Sequence, residues 1–340
     1  MWGVASLVFC LFSILPGDPS RMMLGQRDNE EMRLAIQKKY GFDKPISEQY
    51  FYFINDLSPL SIHGNLKDDF TNTDKHPYNI ISSFQFSDYS VVFKTPYLRE
   101  SFVRKGVTVS SIIGNTLPNT FVLAIAAMSI AMIFGILLGL VSAINQHKFI
   151  DQFLSSIAVF GMALPSFFSA ILIAWIFGYV YQNYTGLSMT GSLYEVDDYG
   201  TGEVLVLKNL ILPAITLGIR PLAVVMQLTR NSILDTLDED YIRTAKAKGL
   251  SSFRILFVHA LPNALNPVVT SASGWLASML AGAVFVEFIF GWNGLGKEIV
   301  YALNYLDLPV VMGAVLTLSI CFVIITIFTD ISYYILDPKI

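Results

Sequence analysis

The sequence predicts an all-α polytopic membrane protein of about six transmembrane helices, with a long external segment after the first and a cytoplasmic helix between the fourth and fifth. Three observations predict it. The 340 residues are 54% hydrophobic and only 14% charged, where soluble domains average about 25% charged residues. Five apolar runs reach the roughly 20 residues a helix needs to cross the hydrocarbon core. Lys and Arg gather in some of the connections between those runs and avoid others, which is the asymmetry that orients membrane proteins. The net charge of −4 decides nothing, because the location of the cations matters more than their sum.

Residues 1–15 are uncharged and apolar. They lack a basic start and a small-x-small site before Pro16, so they read as a short first transmembrane helix rather than a cleaved signal. Residues 16–110 are polar and mixed. Within them 29–40 (NEEMRLAIQKKY) predicts a short helix, with Met32, Leu34, Ala35 and Ile36 as its apolar residues. Gly41-Phe-Asp-Lys-Pro45 breaks it, and 47–57 predicts a second. Residues 61–90 show no core pattern and read as irregular. The core, 111–340, holds the spans 117–144, 153–181, 204–228, 268–290 and 309–336. Gly135, Gly139, Pro165, Gly218, Pro221 and Gly282 interrupt them. Such breakers either serve close helix packing or form hinges beside a translocation path, where neighbouring protein must satisfy the freed carbonyls.

The connection 230–262 holds Arg230, Arg243, Lys246, Lys248 and Arg254. The connection 182–203 holds no Lys or Arg, but has Glu195, Asp197, Asp198 and Glu203. The first is therefore expected in the cytoplasm and the second outside. Residues 145–151, with Lys148, and Lys339 fall inside, so both termini are expected to be cytoplasmic and 16–110 external. The acidic outer connection reads as a solvated loop or a cation site.

Several classes are disfavoured. Cys10 and Cys321 lie in apolar runs with no C-x-x-C, which suits packing rather than a disulfide framework. No basic stripe suggests nucleic acid. His63, His76, His147 and His259 are scattered, so no metal site is expected. No nucleophile motif and no phosphate-binding loop is present, so no catalytic residue is assigned and ATP must be handled elsewhere. Charges within spans are functional suspects. Arg220 and Glu287, with Pro165, are the candidates for a translocation path, against interfacial placement or structural pairing as the alternatives for the charges. Asp330 lies near the inner end of the last span.

The polar island Asp240–Gly249 carries the most information. Asp235, Asp238, Glu239 and Asp240 precede Arg243, Lys246 and Lys248, an order that complements a helix dipole. Gly249 is a good terminator, and Pro262 starts or bends the next apolar stretch. Thr244, Ala245 and Ala247 offer a low-relief surface that another protein could approach, with Tyr241 beginning the helix. This suits a helix presented to a groove in a partner. A surface helix that only satisfies the charge rule is the other reading.

The island resembles the cytoplasmic coupling loop of binding-protein-dependent ABC importer permeases. That signature is Glu-Ala-Ala, three residues, Gly, nine residues, Ile, one residue, Leu-Pro. Gly249 and Leu261-Pro262 stand at the right separation. Arg243, Thr244 and Ala245 hold the leading positions and His259 that of Ile, so Arg243, Thr244 and His259 depart from it. Arg-Thr-Ala-Lys-Ala-Lys-Gly resembles the dipeptide/oligopeptide/nickel branch instead. Further motifs similar to that branch are Pro16-Gly-Asp-Pro19, Tyr40-Gly-Phe-Asp-Lys-Pro45, Asn115-Thr-Leu-Pro-Asn-Thr120, Leu164-Pro-Ser-Phe167, Val286-Glu-Phe-Ile-Phe290 with Gly294-Leu-Gly296, Asp307-Leu-Pro309 and Leu336-Asp-Pro338. The resemblance implies a permease in a prokaryotic inner membrane that imports peptides, with nickel complexes and other small solutes still open. It implies a second, similar permease, two ATPase subunits that hold ATP and magnesium, and an external binding protein. This chain itself would bind no cofactor. An ATPase-independent secondary transporter or a membrane-embedded enzyme is the competing class.

Overall fold

The computed structural model describes residues 2–14, 20, 24, 29–66, 69–73, 76–197, 200 and 202–336. The expectations on Pro16–Pro19, Asp198, Asp337-Pro338 and Lys339 lie outside the described residues. The chain forms two compact units, one of Met1–Asn115 with Tyr301–Ile320, the other of Thr116–Val300 with Cys321–Ile340.

In the first unit, α1 (Trp2–Ile14) has 13 residues, about 20 Å at 1.5 Å per residue, which is short of a hydrocarbon core of about 30 Å. The two short helices expected next are present as α2 (Glu30–Tyr40) and α3 (Ile46–Leu57). The Asn29 side chain accepts from Glu31 N at 3.1 Å, acids open α2, Lys38 and Lys39 close it, and Gly41 ends it at φ 73°. Tyr50 and Phe53 of α3 pack on Phe9 of α1, and Leu316 joins the same cluster.

The expectation that 61–90 is irregular is corrected. It contributes to an antiparallel sheet of order β1-β3-β2, made of β1 (Leu60–Gly64), β2 (Ile80–Gln85) and β3 (Tyr89–Lys94). The inward positions of β1 and β3 are Ser61, His63, Ser90, Val92 and Lys94, while Leu60, Ile62 and Phe93 face out. The usual pattern is inverted, polar inside, so no apolar core face was visible. The inward polar groups satisfy one another. His63 Nδ1 must donate to Thr71 O (2.6 Å), because a carbonyl only accepts, which leaves Nε2 to accept from the Ser61 hydroxyl at 2.8 Å. Lys94 Nζ donates to Asp56 O at 2.5 Å and lies 5.1 Å from the centre of the Tyr78 ring. The Asp56 carboxylate accepts from Tyr78 Oη and Arg99 Nε, both at 2.9 Å. Asp307 accepts from Ser101 Oγ and from Phe102 N, which gives the Asp307-Leu-Pro309 motif a structural part.

Burial pushes the imidazoles of His63 and His76 below their ordinary range. A folded-state value below the unfolded one, about 6.5, means that the unfolded chain binds more protons as pH falls through that value. Stability is therefore complete above about pH 6.5 and declines below it. Hydrogen-exchange protection of 60–94, corrected for intrinsic rates, is expected to fall between pH 6.5 and 5, and to fall less in His63→Gln. A pH-independent protection pattern would refute this.

The helices long and apolar enough to cross a membrane are α4 (Val109–Ile144), α7 (Lys208–Leu237), α9 (Asn266–Phe290) and α11 (Leu308–Leu336, judged over 308–331). The expected span 153–181 is instead two helices, α5 (Phe149–Ala163) and α6 (Ser166–Trp175). A π-helical turn, Ile176–Val180, extends α6, and the pair bends by 108°. With the pair as one broken span there are five among the described residues. The expected span 204–228 begins later and runs further, because 203–205 form β5 (Glu203–Leu205), paired with β4 (Tyr194–Val196). In the second unit α7 is the central helix, packed on α5, α6 and α9. It also lies close to α4, where a Cβ built at Gly139 would sit 2.6 Å from Met226 O. Only glycine permits that approach.

Candidate functional site

The polar island is a helix, α8 (Asp240–Ala247). Glu239 is extended, so the chain leaves α7 and restarts. At the other end Gly249 lies at φ 77°, Gly249 N donates to Lys246 O (3.0 Å) and Leu250 N to Ala245 O (3.3 Å). These paired bonds from a left-handed residue are the Schellman stop. Leu250 completes it by packing on the cluster that contains Ala245.

An eight-residue helix does not persist alone in water, and α8 is held by one face. Ile242, at 0% exposure, and Ala245 pack against Ile255 and Ala260, with Leu237 and Leu250 around them. Leu237 also packs on a second cluster of Leu140, Ala143, Ile233 and Ala264, so the end of α7 and α8 share one apolar seat. The expectation for Ala245 is corrected here. It lies on the inward face, three residues from Ile242, and not on the surface open to a partner.

The exposed face carries Tyr241, Arg243, Thr244, Lys246 and Lys248. Arg243 Nη1 reaches Asp240 Oδ1 at 3.1 Å, both fully in solvent, and Thr244 Oγ1 donates back to Asp240 O. Tyr241 is tied down: its hydroxyl accepts from Asn263 Nδ2 at 2.9 Å, and that nitrogen also reaches His259 O at 3.1 Å. His259 thus contributes through its carbonyl. Ile255–Ala260 is π-helical, with Leu261 N bonded to Leu256 O. This wider turn comes just before Pro262, which has no N–H to continue an α-helical ladder. Leu261 and Pro262 open the single turn Leu261–Ala264.

The other candidates do not join this site. Pro165 stands at the α5/α6 bend, exposed, as the residue before α6. Arg220 is exposed on α7 with no hydrogen bond or ion pair among the described residues. Glu287 is 0% exposed. Its Oε2 accepts from Gly296 N (2.7 Å) and Lys297 N (3.2 Å) at the start of α10 (Leu295–Asn304). A Cβ at Gly294 would come within 2.4 Å of the carboxylate, so the Gly294-Leu-Gly296 motif exists to admit Glu287. Of the two readings for Glu287, this conformation displays structural pairing. No hydrogen bond or ion pair links Pro165, Arg220 and Glu287 among the described residues.

Sequence reasoning missed three things. Ile242, an apolar residue three before Ala245, was a readable anchor. Asn263 carried no signal. Arg230, read only as a loop cation, makes a bidentate pair with Asp151 (Nε–Oδ1 2.6 Å, Nη2–Oδ2 2.8 Å), and Ser142 Oγ and His147 N also donate to that carboxylate. The motifs around 115–120 and 286–296, seen apart in sequence, meet here. Trp292 Nε1 donates to Asn119 O, Asn119 Nδ2 to Asn293 O, and Leu295 N to Thr120 Oγ1.

The model of the family described as "binding-protein-dependent transport system inner membrane component" matches residues 135–340, more than half of the chain. The chain belongs to that family. A second model, of the N-terminal part of such membrane components, matches residues 1–65 of the permease. The permease is 32% identical to the di/tripeptide transport system permease protein DppB of Pseudomonas aeruginosa (strain UCBPP-PA14), over 100% of this chain and 94% of that one. It is 30% identical to the probable D,D-dipeptide transport system permease protein DdpB of Escherichia coli (strain K12), over 99% and 93%. A chain of the inward-facing MetNI methionine ABC transporter shares the fold, with a TM-score of 0.54 at 15% identity, covering 67% of this chain and 97% of that one. The permease is a multi-pass inner-membrane subunit of an ABC importer and a transport component, not an enzyme. The competing class of a secondary transporter or membrane enzyme is set aside by that membership.

Proposed function

We propose that this permease imports short peptides as one of two similar permease subunits, fed by an external binding protein and driven by two ATPase subunits that hold ATP and magnesium. In this reading both termini and α8 are cytoplasmic, 16–110 is external, and α8 is the coupling helix. One observation carries it: α8 is stopped at Gly249, seated by Ile242 and Ala245, and turns Arg243, Lys246 and Lys248 to solvent. A helix so held can pass a push from a partner into α7 through Leu237, provided ATP favours one state of the pair over the other. The relatives named for dipeptide or di/tripeptide transport support the cargo.

The test is retention of ATPase subunits by tagged permease from detergent-solubilised membranes, comparing wild type, Gly249→Arg and Gly249→Asn. Nothing lies within 4 Å of a Cβ built at Gly249, so arginine projects outward into a docked partner. Asparagine tolerates the left-handed backbone and serves as the backbone control. Wild type and Gly249→Asn are expected to retain the ATPase, and Gly249→Arg to lose it at least about tenfold. Absence of ATPase from wild type, or its full retention by Gly249→Arg, would overturn the coupling reading.

A further inference from the structure

The first unit contains a cleft of about 820 Å³ formed by α2, the turn after it, α3, Asp69, Phe70, His76, Pro77 and 97–100, in the size range of small-ligand sites. Charges of both signs line it. Lys38, Lys39, Asp43 and Lys44 are exposed at the rim, whereas Asp56 is buried and Asp69, Arg99 and Glu100 are half-buried. Asp56 is already spent on Arg99 and Tyr78, and Asp69 Oδ1 on Thr71 N and Oγ1, so both form part of the frame. Lys38, Lys44 and Glu100 have no ion-pair partner among the described residues. A second cavity of about 310 Å³ adjoins, and Tyr40, Tyr52, Tyr97 and Arg99 line both. Its remaining wall is largely apolar, with Phe42, Phe53, Phe102, Leu308 and Met312.

A ligand matched to this pair of cavities has a cationic end for the half-buried Glu100, an anionic end for the rim lysines, and a bulky apolar group for the aromatic lobe. A short peptide with free termini and one large apolar side chain has all three. We propose that this unit is itself a binding site for such peptides, with the ammonium at Glu100, the carboxylate at Lys38 and Lys44, and the side chain in the aromatic lobe. This rests on the peptide-cargo reading above.

The test is calorimetric titration of the full-length permease in detergent with an alanyl-phenylalanyl-alanine tripeptide, free or acetylated and amidated at its ends. The free peptide is expected to bind saturably, and the blocked form at least about tenfold more weakly. Lys38→Glu with Lys44→Glu, both on exposed positions, is expected to weaken the free peptide at least about tenfold at an unchanged thermal midpoint, and Gly249→Arg to leave it unchanged. With benzoylphenylalanine in place of phenylalanine, photocrosslinks are expected on 40–53 and 97–102. Equal binding of blocked and free peptide, an unaffected double variant, or crosslinks confined to α4–α9 would each overturn the proposal. Peptide uptake by the assembled importer tests the cargo reading separately. Uptake with no binding in this cleft sinks only the cleft, whereas failure of uptake sinks the cargo.

Discussion

Replacing Asp151 with leucine is expected to destabilise the permease by about 3–5 kcal/mol, the usual consequence of removing one partner of a buried ion pair. Asp151 is 3% exposed and takes four donors from three places: two from Arg230 on α7, one from Ser142 at the end of α4, and one from His147 in the turn between α4 and α5. His147 sits at φ 65°, an uncommon conformation for a residue with a side chain, so its amide bond to Asp151 also holds that turn. Arg230→Met alone should be similarly harmful, because it leaves the carboxylate buried with fewer donors. The double variant, Asp151→Leu with Arg230→Met, should recover much of the loss, since a well-packed apolar pair often replaces a buried ion pair at little cost. Thermal unfolding of the four forms in detergent makes a double-mutant cycle. Strictly additive losses would show that the two side chains do not act as a unit.

Ile242→Ala is expected to release α8 from its seat while leaving the spanning helices folded. Truncating a fully buried isoleucine costs about 2–5 kcal/mol, and α8 has no intrinsic stability to draw on. Protection of the 242–247 amides against exchange should fall on the order of a hundredfold, since about 1.4 kcal/mol corresponds to a factor of ten. ATP-driven uptake should fall with it, because a detached helix transmits no displacement to α7. Lys246→Gln, on the exposed face, should leave protection unchanged. Retained protection in Ile242→Ala would show that the Tyr241–Asn263–His259 bonds alone hold the helix.

The spanning helices, α2, α3 and α8 were legible because each rests on a local rule. Apolar length marks the longest spans, the apolar residues Met32, Leu34, Ala35 and Ile36 and the break at Gly41 mark α2, and Gly249 marks the end of α8. The sheet was not legible. The β1 run Leu-Ser-Ile-His does alternate, but its apolar members face outward and its partner β3 begins 25 residues after Gly64. What defines those strands is a polar interior of His63, Lys94 and Asp56, and hydrophobic patterning is blind to that. Of the site, the exposed charges and the terminating glycine were readable. The inward turn of Ala245 and the grip of Asn263 on Tyr241 were not, because they depend on where the π-helical segment 255–260 places Ile255, Ala260 and His259.

The sequence by itself determined that this is a helical membrane permease and which connection holds its basic helix. These follow from hydropathy over about 20 residues, from charge location and from the spacing of Gly249 to Leu261-Pro262, all properties of neighbours along the chain. The tertiary structure decided that Glu287 is enclosed at the start of α10, that Asp151 answers Arg230, that α8 shares its seat with the end of α7, and that 60–64, 80–85 and 89–94 form a sheet. The contacts behind them reach far along the chain, 79 positions between Asp151 and Arg230. The free energy of such contacts depends on burial and geometry that no local pattern specifies.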